Sequence, residues 1–164
     1  MIDVRRAGPD DADGLMELRG VMLGSIGGGP PVGGDWQRAG AAMLRERLVR
    51  EERTLAAFVV DRDGEPGLAA CVVGQVDQRL PGPGDPTGLR GYVYNVATDP
   101  AYRRRGFSRA CMTALLAWFD GLGVGVVDLR ASATGEPLYA SLGFARTPDP
   151  AMRLRRRPGA ATAR

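Results

Sequence analysis

Neither lysine nor histidine occurs in the 164 residues, and all 22 basic side chains are arginine. Without histidine, a Ser-His-Asp triad, a Cys-His dyad and the commoner zinc sites are excluded. Without lysine, the GxxxxGK[ST] phosphate loop cannot be written, and the chain has no side-chain amine. Cysteine is nearly absent too. Cys71 and Cys111 lie in the apolar runs "AACVV" and "ACMTALL" with no CxxC spacing, which reads as small core hydrophobes. Aromatic residues are only 6% of the chain and do not interleave with the arginine clusters, so the stacking platform of a single-strand nucleic-acid binder is missing. No stretch approaches ~18 uninterrupted apolar residues and "MIDVRRAGPDDADG" has no apolar signal region, so the expectation is a soluble, cytoplasmic protein.

What is present is ordinary for one globular domain: 44% hydrophobic and 25% charged residues, with a mild net charge of +3. "MIDVRRA" reads as a strand, and "GPDDADGLMELRGVML" opens with acids suited to a helix N-terminus. Gly24 to Gly34, "GSIGGGPPVGG", is too rich in glycine and proline for regular structure. A second helix is predicted from Asp35 to about Glu52. "TLAAFVVDRDGEPGLAACVVGQVDQRL" reads as two strands about a turn at 61–67, and "YVYNVAT" as a third stopped by Asp99-Pro100. A strongly apolar helix "SRACMTALLAWFDGLG", a strand "VGVVDLRAS", a short helix "TGEPLYASLG" and an alternating strand "AMRLRRR" complete the chain. The expectation is one α/β (α+β) domain over 1–157 around a mostly antiparallel sheet, with 158–164 as a disordered tail.

"AYRRRGFSRA", Ala101 to Ala110, sets three arginines between a buried strand and the start of a buried helix. Unpaired N–H groups and the positive end of the helix dipole collect there. Gly106 and the small Ser108 permit close approach to the backbone, and arginine supplies bidentate donors for phosphate oxygens. The stretch reads as an anion-binding turn, or alternatively as a solvated arginine cluster.

Arg103-Arg104-Arg105-Gly106-Phe107-Ser108 resembles the R/Q-x-x-G-x-G/A pyrophosphate loop of the GNAT superfamily of acyl-CoA-dependent N-acyltransferases. "NVATDPAYR" before it and "LYASLGF" after it are similar to that family's approach strand and "LY-x-x-x-GF" ending, so the resemblance runs from about Thr54 to Phe144. Ser108 departs from the usual Gly or Ala. The resemblance implies a mixed, mostly antiparallel sheet of six to seven strands flanked by about four helices. It implies acetyl-CoA as co-substrate, with no metal. The pyrophosphate would lie on the loop from Arg103 through Arg109, and the pantetheine arm beside Val96 and Thr98 at a bulge. An N–H near Val96 or Ala97 would polarise the thioester. Tyr139 matches the family's frequent acid tyrosine, or else packs on the sheet beside Phe144. Ser132 stands where many members have an asparagine touching the pantetheine region; a plain surface hydroxyl is the other reading.

The base is not assigned. Some members carry a glutamate where this chain has Tyr92. Tyr92 and Tyr94 share a strand face and either line the acceptor pocket or serve as packing aromatics; Asn95 is a further candidate for substrate contact. The implied function is acetyl transfer to a primary amine of a small molecule or peptide, by a monomer or homodimer with no nucleic-acid or membrane partner. The competing readings are an acyl-CoA-binding regulator without catalysis, and a nucleic-acid module resting on Arg103 to Arg105 with Arg153 and Arg155 to Arg157. The loop at 24–34 borders the acceptor side in this family, as a closing flap or as a plain solvent loop.

Overall fold

The computed structural model describes residues 1–49 and 53–156. The predicted end of the second helix near Glu52, the tail 158–164 and Arg157 lie outside the described residues. Five strands form one sheet in the order β1 (Arg5–Arg6), β2 (Leu55–Asp61), β3 (Leu68–Gln78), β4 (Leu89–Thr98), β5 (Val126–Leu129). The first four are antiparallel, while β5 runs parallel to β4 after a helical crossover. Helices α1 (Ala12–Ile26) and α2 (Asp35–Val49) cover one face; α3 (Phe107–Gly121) and α4 (Glu136–Ser141) cover the other.

Each face has its own core. Leu15, Leu18, Leu44, Leu55, Val59 and Val73 pack beneath α1 and α2, while Val72, Val93, Cys111, Met112, Leu115 and Phe119 pack beneath α3. β2 and β3 read as near-continuous apolar runs because both their faces are covered. Both cysteines are free and buried, as expected of core residues. Burial raises both thiols, that of Cys111 to about 12, so neither has thiolate character.

Two expectations are corrected. The first helix does not stop before Gly24 but continues through Gly24, Ser25 and Ile26. Gly20 and Gly24, one turn apart on α1, form a seat for the returning loop: Val32 N–H donates to Gly20 O at 3.0 Å, and a Cβ on Gly24 would lie 2.0 Å from Pro30 O. Their glycines serve packing and not flexibility. Gly24→Ala is therefore expected to lift the loop from the helix and cost about 1–3 kcal/mol, checked by urea unfolding.

The second correction concerns strand number: among the described residues there are five, not six to seven. Of "AMRLRRR", the described residues 151–156 enter no ladder and are exposed throughout. The preceding Thr147-Pro148-Asp149-Pro150 lacks two backbone donors and biases Thr147 and Asp149 toward extended conformations, which counts against a regular hairpin return to the sheet here.

Candidate active site

β4 and β5 pair only from Arg90 with Val126 to Val93 with Leu129. Beyond that point the last residues of β4 have no ladder partner on the β5 side among the described residues. On the other side the β3 register slips: Val73 pairs with Tyr94 but Cys71 with Ala97, so Asn95 and Val96 together oppose one residue. This is a bulge, and Asn95 makes it by adopting φ 55°, a conformation asparagine tolerates better than most residues. Asp99 N–H donates to Ala69 O at 2.8 Å, so strand alternation turns the backbone groups of Thr98 and Val96 toward the open side. The bulge also reverses side-chain parity. Tyr94 and Ala97 both reach the core under α1 and α2, whereas Val93 and Val96 face α3.

Directly after β4, the Asp99 side chain accepts from Ala101 N at 2.9 Å and from Arg62 Nη2 at 2.7 Å, fixing the turn into the arginine stretch. Arg104 (φ 66°) and Gly106 (φ 82°) are both left-handed, which bends the chain round the start of α3. The first backbone bond of that helix is Ala110 N to Gly106 O, 3.0 Å, and no side chain caps it. The N–H groups of Phe107, Ser108 and Arg109 are the orphan first-turn donors. Ser108 Oγ lies 2.7 Å from Thr98 Oγ1, tying the loop to the strand end; sequence reading missed this pair because it noted Ser108 only for its size.

Two of the arginines are folded onto the protein. Arg103 donates to Ser25 Oγ at 3.1 Å and to Thr98 O at 3.4 Å, while Arg105 stacks over the Tyr102 ring at 5.0 Å. Arg104 alone of the three has no side-chain partner among the described residues. Arg109 reaches α4, donating to Ser141 Oγ at 2.8 Å.

Tyr139 on α4 is half-buried, edge-on to Phe144 at 6.1 Å, and lines a cavity of about 450 Å³ with Val127, Leu129 and Phe144. Burial raises its phenol above the usual tyrosine value. Ser132 is exposed and accepts from Gly135 N at 3.2 Å, where it shapes the entry to α4. Tyr92 and Tyr94 do share a face, with ring centroids 6.3 Å apart. Tyr94 packs against the core under α1 and α2, and burial raises its phenol. Opposite Tyr92 on β5 stands Asp128, which sequence reading did not single out. Asn95 points into the core under α1, on the side that Tyr94 also reaches: its amide donates to Leu15 O at 3.4 Å, and its Oδ1 is buried without a partner among the described residues. The glycine-rich loop borders a second cavity of about 310 Å³ between Leu18, Val21, Val32, Gln37, Arg62 and Asp99.

The fold therefore presents three elements: an uncapped helix start behind a left-handed turn, an unpaired bulged strand edge, and a half-buried tyrosine on α4 whose phenol burial keeps protonated. The family model for the acetyltransferase (GNAT) family matches residues 28–144. Among solved structures, a predicted acetyltransferase from Clostridium acetobutylicum determined with acetyl-CoA superposes with TM-score 0.79 at 22% identity, covering 94% of this chain and 96% of that one. A GCN5-related N-acetyltransferase from Ralstonia eutropha superposes with TM-score 0.76 at 25% identity, covering 94% and 99%. Glucosamine-6-phosphate N-acetyltransferase from Arabidopsis thaliana gives TM-score 0.72 at 15% identity, covering 94% and 98%. No functionally curated protein matches the chain.

Proposed function

Because this chain belongs to the acetyltransferase (GNAT) family and is thereby an acyltransferase, we propose that it transfers an acetyl group from acetyl-CoA to a primary amine of a small molecule or peptide. The transfer is a direct attack within a ternary complex. The observation that carries this reading is the bulged, unpaired end of β4 leading straight into the uncapped start of α3.

The first-turn amides of α3, with those of the loop from Arg104, hold the pyrophosphate, and the helix dipole adds to the attraction. Arg103, Arg104 and Arg105 contribute positive field; Arg104 is the arginine whose guanidinium is available for a bidentate contact. Val96 and Thr98 offer their backbone groups to the pantetheine arm as a neighbouring strand would. The Val96 N–H then donates to the thioester oxygen as charge develops there. The neutral amine nitrogen forms a bond to the carbonyl carbon, the carbon–sulfur bond breaks, and Tyr139 gives its proton to the leaving thiolate; the proton lost from the nitrogen passes to solvent, and solvent returns one to Tyr139. Tyr92 and Tyr94 line the acceptor side.

Saturation with acetyl-CoA or CoA at about a hundred times Kd is expected to stabilise the protein by about 2.7 kcal/mol, or about 5–10 °C in Tm. ATP and a short DNA duplex serve as controls in the same thermal-shift series. A shift with DNA alone sinks the reading. Binding of acetyl-CoA with no CoA release across a panel of amines would instead identify a regulator. The absence of lysine makes this assay clean, since no side-chain amine of the protein competes as acceptor.

A further inference from the structure

On the proposed reading, the acceptor meets β4 over the face of the sheet that Tyr92 and Tyr94 share. Most charged groups around those two rings are already engaged. Arg47 of α2 donates to Thr54 Oγ1 at 3.2 Å, Asp77 accepts from Gln75 at 2.8 Å, and Arg90 pairs with Asp85 at 3.1 Å. On the α4 side, Glu136 is held by Arg146 at 2.6 Å. Two half-buried charges are left over. Arg19 on α1 and Asp128 on β5 have no hydrogen-bond or ion-pair partner among the described residues.

Their positions relate them to the tyrosine pair. Leu18 and Val21 line the 310 Å³ cavity on one flank of α1. Arg19 stands nearly opposite Val21 round the helix and so projects from the other flank. Its positive charge is felt at the Tyr94 phenol, as is that of Arg47. Asp128 pairs with Tyr92, one step before the last described pair of the β4–β5 ladder, Val93 with Leu129. Paired residues of neighbouring strands share a face, which puts Asp128 on the tyrosine side. It also lines the 450 Å³ cavity with Tyr139.

An unpaired guanidinium in a partly desolvated setting is a receptor for a carboxylate, and an unpaired carboxylate is one for an amine. Opposite charges about one pair of rings match a ligand that carries both. Asp128 is the end nearer Tyr139, so the amine lies there and the anionic group lies toward α1.

We infer that the acceptor is an amino acid, with Arg19 binding its carboxylate and Asp128 orienting its amine. This rests on the acyl-transfer reading and narrows its acceptor from any primary amine to one that also carries a carboxylate.

Calorimetric titration of the protein saturated with CoA tests the class without requiring turnover. L-Leucine and γ-aminobutyrate are compared with their amides, and Nα-acetyl-lysine amide stands for a lysine within a peptide. At least one acid is expected to bind about tenfold more tightly than its amide. Arg19→Gln should bring acid and amide to equal affinity, whereas Arg19→Lys, which keeps the charge, should retain part of the preference. Asp128→Asn should weaken acid and amide together. Equal affinities in the wild type, binding of neither acid, a preference that survives Arg19→Gln, or tightest binding by the blocked lysine would each overturn the inference. CoA release from acetyl-CoA with the same compounds keeps the two readings apart. Amides consumed as readily as acids would overturn the amino-acid class alone, while acids that bind but release no CoA would overturn the transfer. Circular dichroism on each variant separates lost binding from lost fold.

Discussion

Tyr139→Phe is expected to lower kcat for amine-dependent CoA release by about a hundredfold, while acetyl-CoA binds with nearly unchanged affinity. The substitution keeps the ring and its edge contact with Phe144, so packing is preserved and only the hydroxyl is lost. Burial raises the pKa of this phenol. The proton-bearing form is thus present below that raised value and is lost only as pH rises through it, so the donor remains available throughout the neutral and mildly alkaline range. Activity in the wild type should therefore climb with pH as the acceptor amine loses its proton, and fall only at the alkaline end. The variant should retain the rising limb and lose the fall. Equal kcat in the two proteins would remove Tyr139 from the reaction and leave it as a packing residue beneath α4.

The largest effect on stability is expected from Phe119→Ala, a loss of about 4 kcal/mol, or roughly 8–16 °C in Tm by calorimetry. Phe119 is fully buried and stands over two glycines on neighbouring strands. A Cβ on Gly74 would lie 2.8 Å from the ring and one on Gly91 3.0 Å from it. These positions have no side chains that can swing into the vacated space, so the cavity persists and its full cost is felt. The reverse change is also costly. Gly74→Ala would place its methyl 2.6 Å from Leu115 Cδ1 and 2.8 Å from the Phe119 ring, so these packed side chains must give way. A loss below about 2 kcal/mol for Phe119→Ala would show that α3 can settle onto the strands and that the glycine seat is not rigid.

The seat shows where sequence reading stops. The apolar helix over 108–123 was legible from its period and its closing glycines, and α3 is found at Phe107–Gly121. Nothing local relates Phe119 to Gly74 and Gly91, which meet it only once the sheet is assembled. The hairpin over β2 and β3 was legible because "DRDGEPG" carries its turn chemistry in consecutive residues. The arginine turn was legible for the same reason: its donors, its glycine and its strand–helix setting are contiguous. The continuation of α1 through Gly24 was hidden because glycine's usual meaning, a break, was overridden by the loop that packs on it. At the C-terminal end, alternation in "AMRLRRR" suggests a strand, yet residues 151–156 enter no ladder; the prolines at 148 and 150 ahead of them carry a backbone cost that alternation does not register. Asn95 was read as a side chain that faces substrate; the bulge turns it inward instead, against Leu15.

The one-residue slip in β4 also determines which changes of chain length the protein can absorb. The stretch 79–88 between β3 and β4 is a loop with a single isolated bridge, Gly82 with Asp85, and residues can be gained or lost there without disturbing the sheet. Between Tyr94 and Asp99 the extra residue sets the parity: because of it Tyr94 and Ala97, three apart in sequence, share the face under α1 and α2. Deleting Asn95 would restore a regular ladder with every other side chain of β4 on its present face, at the cost of the bulge and of the contact with Leu15. Thr98 would keep its contact with Ser108 while the strand edge lost its irregularity. A change of length can therefore pass through the fold at this one strand position, and what it removes is the bulge and not the core.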